Sequence, residues 1–250
     1  MISLNKSERC RIITADCFSK LKEIPDNSID LILTDPPYNI APYSTGNINF
    51  DWRSNINNDV AEWDLMPLNP KDLVDEFCRI LSPKGNIFIF CSYNLIGEYH
   101  KVFDAKFDTF QFMVWHKTNP VPNFRKSSFL NSCELIVSCW NKGHTWNFLN
   151  QKEMHNFIES GICMGRERIK DENGKNIHPT QKPLSVLEKI IKIASNENDV
   201  VLDCFNGVGS TGEAALKLNR RYIGIEIEPK YVKATQNRLC KYCNDLKGIN

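Results

Sequence analysis

Two short stretches of this sequence set reactive residue types at spacings that could do chemistry. In the C-terminal third, Gly207-Val208-Gly209-Ser210-Thr211-Gly212 follows the apolar run Val200 to Phe205 and opens a helical pattern from Glu213 to Leu218. Glycines there let backbone approach a ligand without a Cβ in the way. Glu226 stands 19 residues beyond Gly207, at the end of the next apolar run, Tyr222 to Ile227. A carboxylate so placed can accept both hydroxyls of a ribose, which makes the pair a candidate nucleoside site. A dinucleotide dehydrogenase would share these features, as would a glycine turn that only packs strand against helix. Against the dehydrogenase, only 38 residues follow Gly212, too few to complete a sheet, so the remaining strands must precede it. The second stretch is Asp35-Pro36-Pro37-Tyr38, delivered by the apolar run Ile29 to Thr34. It offers a carboxylate, a carbonyl stiffened by two prolines and an aromatic face. Taken alone, it also reads as an extended turn after a strand.

The elements that must position both stretches are legible as unbroken apolar or β-branched runs. They are Arg11 to Ala15, Ile29 to Thr34, Asn86 to Ser92, Phe110 to Trp115, Glu134 to Trp140, Val200 to Phe205 and Tyr222 to Ile227. Runs without polar alternation predict strands covered on both faces. Helical spacing lies between them, in Leu73, Phe77, Ile80 and Leu81 after Pro70, and in Leu184, Leu187, Ile190, Ile191 and Ala194 after Pro183. Pro183 is expected in the first helical turn. Alternating strands and helices predict an α/β fold, a Rossmann-like, doubly wound and mostly parallel sheet. Two segments break the rhythm and are expected to be functional insertions: Asn39 to Trp63, rich in Asn and aromatics, and Lys142 to Ile177, polar and of mixed charge.

With both stretches in this order, the sequence resembles the β class of amino-group DNA methyltransferases, in which Asp-Pro-Pro-Tyr precedes the cofactor glycines. The resemblance covers nearly the whole chain. It implies S-adenosylmethionine as cofactor, methyl transfer to an exocyclic amine of a base, a permuted motif order, and Asp35, Pro36, Pro37 and Tyr38 as the catalytic corner. The residue types suit that reaction. The lone pair of such an amine is delocalised into its ring and must be localised for attack. A carboxylate at Asp35 and the carbonyl of Pro36 can accept N–H bonds that favour the tetrahedral nitrogen of the transition state. Tyr38 offers a face for a base swung out of the duplex, because the amine is out of an enzyme's reach inside the helix. Aspartate at position 35 points to adenine N6, whereas serine would point to cytosine N4, the nearest alternative. RNA and protein amide methyltransferases, a further alternative, usually carry Asn at this point and place the cofactor turn first.

Further positions match the family. The resemblance assigns Asp203, Phe205, Asn206, Gly207, Gly209, Ser210, Thr211 and Glu226 to the cofactor turn, although Cys204 and Asn206 depart from its usual Asp-Pro-Phe-small-Gly. Ile12-Ile13-Thr14-Ala15-Asp16-Cys17 resembles the segment that meets the cofactor's adenine, with Asp16 as the contacting acid and Cys17 beside it; Asp16 also reads as a helix cap. His178-Pro179-Thr180-Gln181-Lys182-Pro183 resembles the segment around the methionine moiety, which nominates His178, Thr180 and Lys182, and it reads equally as a helix-entry loop. Trp115 to Phe124 resembles the stretch near the target base, with Asn123 and Phe124 as candidates to hold it. Arg125, Lys126, Arg166 and Arg168 are candidates for phosphate contact, or else a solvated basic surface.

The remaining composition sets bounds. A chain of 250 residues with 42% hydrophobic content suits one catalytic domain over 1–250, with a small target-recognition region near 142–177. Net charge is only +1, yet His116 to Lys182 carries ten Lys or Arg against six Asp or Glu, a local balance of +4 that suits a face contacting nucleic-acid backbone. The ten cysteines fall singly in apolar runs, as reduced thiols do, and the Cys240/Cys243 pair lacks the second pair a metal knuckle needs. No run is long enough to span a membrane and the start lacks a signal-peptide core, which predicts a cytoplasmic protein. The expected partner is double-stranded DNA; the family habit leaves room for a cognate restriction endonuclease and for a homodimer. A catalytically silent DNA-binding homologue is the alternative from outside the enzyme class.

Overall fold

Every unbroken apolar run forms a strand, and the central strands, drawn from the runs Ile29 to Thr34, Asn86 to Ser92 and Val200 to Phe205, are the ones covered on both faces. The computed structural model describes residues 1–5, 7–38, 68–124 and 126–243. In chain order they form β1 (Cys10–Thr14), α1 (Cys17–Leu21), β2 (Ile29–Thr34), α2 (Lys71–Ile80), β3 (Leu81–Cys91), α3 (Ile96–Phe103), β4 (Thr109–Lys117), β5 (Cys133–Trp140), β6 (Phe157–Ser160), α4 (Leu184–Ala194), β7 (Val200–Asp203), α5 (Ser210–Lys217), β8 (Arg221–Glu226) and α6 (Pro229–Leu239). The strands make one sheet of order β1-β8-β7-β2-β3-β5-β4-β6, parallel except where β5 pairs with β3 and β4.

Side chains alternate along each strand between two cores. Ile29 and Ile32 of β2, with Ile87 and Ile89 of β3, pack against Leu73 and Phe77 of α2 and Tyr99 and Phe103 of α3. Leu31, Leu33, Phe88 and Phe90 point the other way, onto Leu187 and Ile190 of α4 and Ala214 and Ala215 of α5. Helices on both faces leave no wet side to the central strands, which is why their sequence shows no alternation.

Three details differ from expectation. Leu81 opens β3 opposite Ile29 instead of closing α2. Pro183 is the N-cap of α4, with an extended ψ of 140°, and not a first-turn residue. Phe157–Ser160, inside the segment expected to be an insertion, pairs in parallel with β4 and extends the sheet, so that stretch is partly scaffold. The other expected insertion, Asn39 to Trp63, lies outside the described residues, as does Arg125.

The strand order reverses between β7 and β2, whose chain continuations run to opposite sides of the sheet. Such a switch point opens a crevice at the carboxyl ends of its two strands. Thr34 and Asp203 end those strands, and Thr34 Oγ1 donates to Asp203 Oδ1 at 2.7 Å. Both residues are buried. Because β5 runs antiparallel to β3, the β4–β5 loop emerges at this same edge, together with the chain after β6. Replacing Thr34 by Val keeps its shape and removes that donor from a buried carboxyl. Thr34→Val is expected to cost about 1.5–3 kcal/mol, measured as a lower urea midpoint at unchanged m-value.

Candidate active site

The cleft at the switch point has a volume of about 260 Å³, and the Asp35 corner and the glycine turn both line it. Asp35 leaves the end of β2 into a cluster of buried charges. Lys182 Nζ lies 2.5 Å from Asp35 Oδ2 and 3.3 Å from Glu134 Oε2. Tyr38 Oη is placed to donate to Asp35 Oδ1 at 2.7 Å or to Glu134 Oε2 at 3.0 Å. Lys117 Nζ lies 2.8 Å from Glu134 Oε1. Two carboxylates and two ammonium groups thus balance in a largely shielded space, with Lys182 the most deeply buried of the four. The Lys182 ammonium also sits 5.2 Å from the ring centre of Tyr38 and 5.1 Å from that of Phe90, a cation held against two aromatic rings.

Burial pushes the Asp35 pKa up, and Lys182 only partly offsets it. Burial would push Glu134 up as well, but Lys182 and Lys117 outweigh it and hold that carboxyl below its ordinary value. Lys182 is raised: burial opposes its charge, and the attraction of Asp35 and Glu134 prevails. An isolated ammonium could not be kept in such a place; the two acids make it possible.

At the other end of the cleft, Gly207 has a φ of +53° and donates its N–H to Glu226 Oε2 at 2.7 Å, while Glu228 N–H donates to Oε1 at 2.9 Å. Burial raises the Glu226 carboxyl to about 7 despite these donors. Asp203 is likewise raised to about 6 by burial. The His178 ring is pushed down to about 3 by burial and by Lys182 nearby, so it is neutral at neutral pH. Phe18, Phe205, Ile225, Ile227 and Tyr231 supply apolar walls. Acceptors at Glu226 and Asp16, with aromatic and aliphatic walls between, fit a nucleoside, and the acids Asp203 and Glu226, which have no salt-bridge partner among the described residues, fit a ligand bearing positive charge.

Asp16, Cys17, Asp35 to Tyr38, His178, Thr180, Lys182, Asp203, Phe205, Asn206, Gly207, Ser210, Thr211 and Glu226 all line this one cleft. Several do work that the sequence did not suggest. Lys182, nominated for the cofactor pocket, has its ammonium on Asp35. The Asn206 amide is spent on Gly207 O, Thr235 Oγ1 and the Tyr222 hydroxyl, bracing the turn from behind. Gly209 does not line the cleft: it caps α5 at φ +75°, and a Cβ there would stand 2.6 Å from Thr235 Cγ2, so its bareness serves packing against α6. Asp16 meets both readings of its sequence position: Oδ2 caps α1 by accepting from Ser19 N–H at 2.9 Å, and the residue borders the cleft.

Of the basic candidates, Lys126 and Arg166 are exposed, on the loops after β4 and β6. Arg168 is not a free surface cation; its Nη2 donates to the carbonyls of His178 and Pro179 and pins that loop. Asn123 is occupied in shaping its own loop, through Ser128 and the Lys126 N–H. Phe124 is exposed there, as are Val121, Phe129 and Leu130. Sequence reasoning missed Glu134 and Gln181. Gln181 fixes the loop by donating to Glu167 O and accepting from Ile169 N–H. The signal for Glu134 was present: a lone acid heading an otherwise apolar strand.

The family model described as DNA methylase matches residues 29–237. The type II methyltransferase M.HinfI of Haemophilus influenzae is 40% identical, across 91% of this chain and 67% of its own length. M2.LlaDCHI of Lactococcus lactis subsp. cremoris is 31% identical, across 94% of this chain and 91% of its own. Among solved structures, the M1.HpyAVI complex with SAM aligns with a TM-score of 0.68 at 30% identity, over 92% of this chain and 98% of that one. The cytosine-N4-specific PvuII DNA methyltransferase aligns with a TM-score of 0.66 over 92% of this chain and 86% of that one; at 18% identity this likeness is one of fold.

The two raised carboxyls give a testable pH dependence. Asp203 and Glu226 hold their protons at about 6 and about 7 in the fold, against ordinary values of 3.8 and 4.5. Their contribution to stability is therefore complete below the ordinary values and is lost as pH rises through the folded ones. Unfolding free energy of the protein alone is expected to fall between about pH 5 and pH 8, with a shallower slope in Glu226→Gln, read from denaturant titrations across that range.

Proposed function

We propose, from the premise that this chain belongs to the DNA methylase family and is a DNA methyltransferase, that its target is the N6 amino group of adenine in double-stranded DNA. One observation carries this reading: the Asp35-Pro36-Pro37-Tyr38 corner and the Gly207/Glu226 turn share a single cleft at the switch point. S-adenosylmethionine, when bound, supplies an electrophilic sulfonium methyl group. Glu226 would accept the ribose hydroxyls, and Asp16 and the apolar walls would hold the adenine ring. Asp35 and the Pro36 carbonyl accept the N–H bonds of the target amine and turn its lone pair outward. The burial that raises the Asp35 pKa also fits Asp35 to take the proton that the methylated amine must shed. Lys182 lies over the Tyr38 ring, so a flipped base stacks on the opposite face.

The loops after β4 and β6 emerge beside this corner. We assign them to the DNA face, with Asn123 and Phe124 near the target base and Arg125, Lys126 and Arg166 toward phosphates; target recognition then falls within 142–177. The type II names of the relatives suggest a modification role beside a partner endonuclease. Aspartate at position 35 favours adenine over cytosine N4.

Digestion of duplex DNA treated with the protein and S-adenosylmethionine, followed by mass analysis of the nucleosides, is expected to reveal N6-methyladenine. N4-methylcytosine would keep the mechanism and overturn the base assignment; no methylated nucleoside on varied duplexes would overturn the activity. Asp35→Ala should lower transfer by roughly 10³-fold or more with the fold intact by circular dichroism. Glu226→Gln should instead weaken cofactor binding by about 10–100-fold in calorimetry. Wild-type affinity is expected to decline below about pH 7, as Glu226 becomes protonated.

A further inference from the structure

Glu134 belongs to neither of the two motifs, yet it completes the charge cluster through Tyr38, Lys117 and Lys182. Both oxygens of the Asp35 carboxylate are engaged by the chain itself, Oδ2 by Lys182 at 2.5 Å and Oδ1 by the Tyr38 hydroxyl at 2.7 Å. Each oxygen can accept a second hydrogen bond, but an amino group that approaches Asp35 must then share an oxygen, and its negative charge, with the donor already there. Lys182 is the harder to move, because its buried ammonium is held by both Asp35 and Glu134 and withdrawing it would leave two neighbouring carboxylates to repel each other. Tyr38 can yield at little cost. Its hydroxyl carries one proton, and a second carboxylate oxygen, Glu134 Oε2, stands 3.0 Å away. Rotation about the phenolic C–O bond carries the hydrogen from one acceptor to the other without moving the ring.

Resting on the assignment of Asp35 as acceptor of the target amine, we propose that Glu134 is a positioning residue, which takes over the Tyr38 hydroxyl when the amine claims Asp35 Oδ1. Without it, the partly buried hydroxyl and the amine would have to share Oδ1, which weakens the bond each makes to Asp35. Two lysines equip Glu134 for the task, since Lys117 at 2.8 Å and Lys182 at 3.3 Å keep it ionised and therefore an acceptor. Its place in the chain suits the role as well. It is the second residue of β5, so the connection assigned to the DNA face leads within two residues to the carboxylate that receives the hydroxyl.

The test compares single-turnover methyl transfer by wild type, Glu134→Leu and Glu134→Gln, each also combined with Tyr38→Phe, alongside equilibrium binding of duplex and of cofactor and thermal unfolding. Glu134→Leu is expected to slow transfer about tenfold or more while both affinities stay within about twofold of wild type. Glu134→Gln keeps an acceptor oxygen and should recover most of the rate. In the Tyr38→Phe background, where no hydroxyl needs a partner, Glu134→Leu should cost little more. A wild-type rate in Glu134→Leu overturns the inference. So do equal losses in the Leu and Gln variants, or an equal loss in both backgrounds, since charge or packing alone would then account for them. Should Glu134→Leu not fold, a loss beyond about tenfold in Glu134→Gln overturns it too. Absence of transfer by the wild type would instead defeat the underlying reading of the enzyme.

Discussion

The buried ion pair between Lys182 and Asp35 joins parts of the chain separated by 147 residues, and much of the site depends on it. Asp35 stands where β2 runs out of hydrogen-bonding partners, and burial opposes its charge. The ammonium that neutralises it must be delivered by a loop held firmly enough to keep a lysine out of water. Arg168 grips the carbonyls of His178 and Pro179, and Gln181 is tied to Glu167 and Ile169. Pro183 then fixes the entry to α4 in an extended conformation. The polar segment before this loop therefore has a structural duty: it supplies the anchors that place Lys182.

Charge within the cleft is deliberately unbalanced along its length. Around Asp35, two acids meet two lysines. Toward the glycine turn, Asp203 and Glu226 have no cation within reach of a salt bridge among the described residues, and both bind protons more tightly than usual. A surplus of negative charge in a dry space costs stability in the protein alone and favours a cationic ligand that binds there. The same burial that destabilises those carboxylates strengthens whatever hydrogen bonds they make to a ligand.

The sequence announced the sheet because strands buried on both faces cannot alternate, so Ile29 to Thr34 and Val200 to Asp203 stand out as apolar runs. It announced the two halves of the cleft because glycines and stiff proline turns are needed where backbone meets ligand. What it could not announce was pairing. Lys182 and Asn206 were recognised as site positions, but only three-dimensional proximity shows Lys182 serving Asp35 and Asn206 bracing the turn. Glu134 looked like the polar start of a strand, because nothing local reveals that β5 runs antiparallel to β3 and brings its first residues to the carboxyl edge. β6 was hidden for a different reason: four residues at a sheet edge, only one of them buried, leave no periodic trace.

The permuted order of the two halves follows from the same geometry. The cleft is built from what leaves the carboxyl ends of β2 and β7, and these strands are neighbours through pairing of Leu31 with Val201 and Ile32 with Leu202, not through chain connection. Where one half precedes the other is thus a matter for the helices and loops that reconnect strands elsewhere, and reversing that order leaves the facing ends where they were. What must be preserved is the junction itself. Thr34 bonded to Asp203 ties the two strand ends together, with Asp35 directly after one and the glycine turn directly after the other, and Lys182 reaches in to Asp35 from the loop before α4.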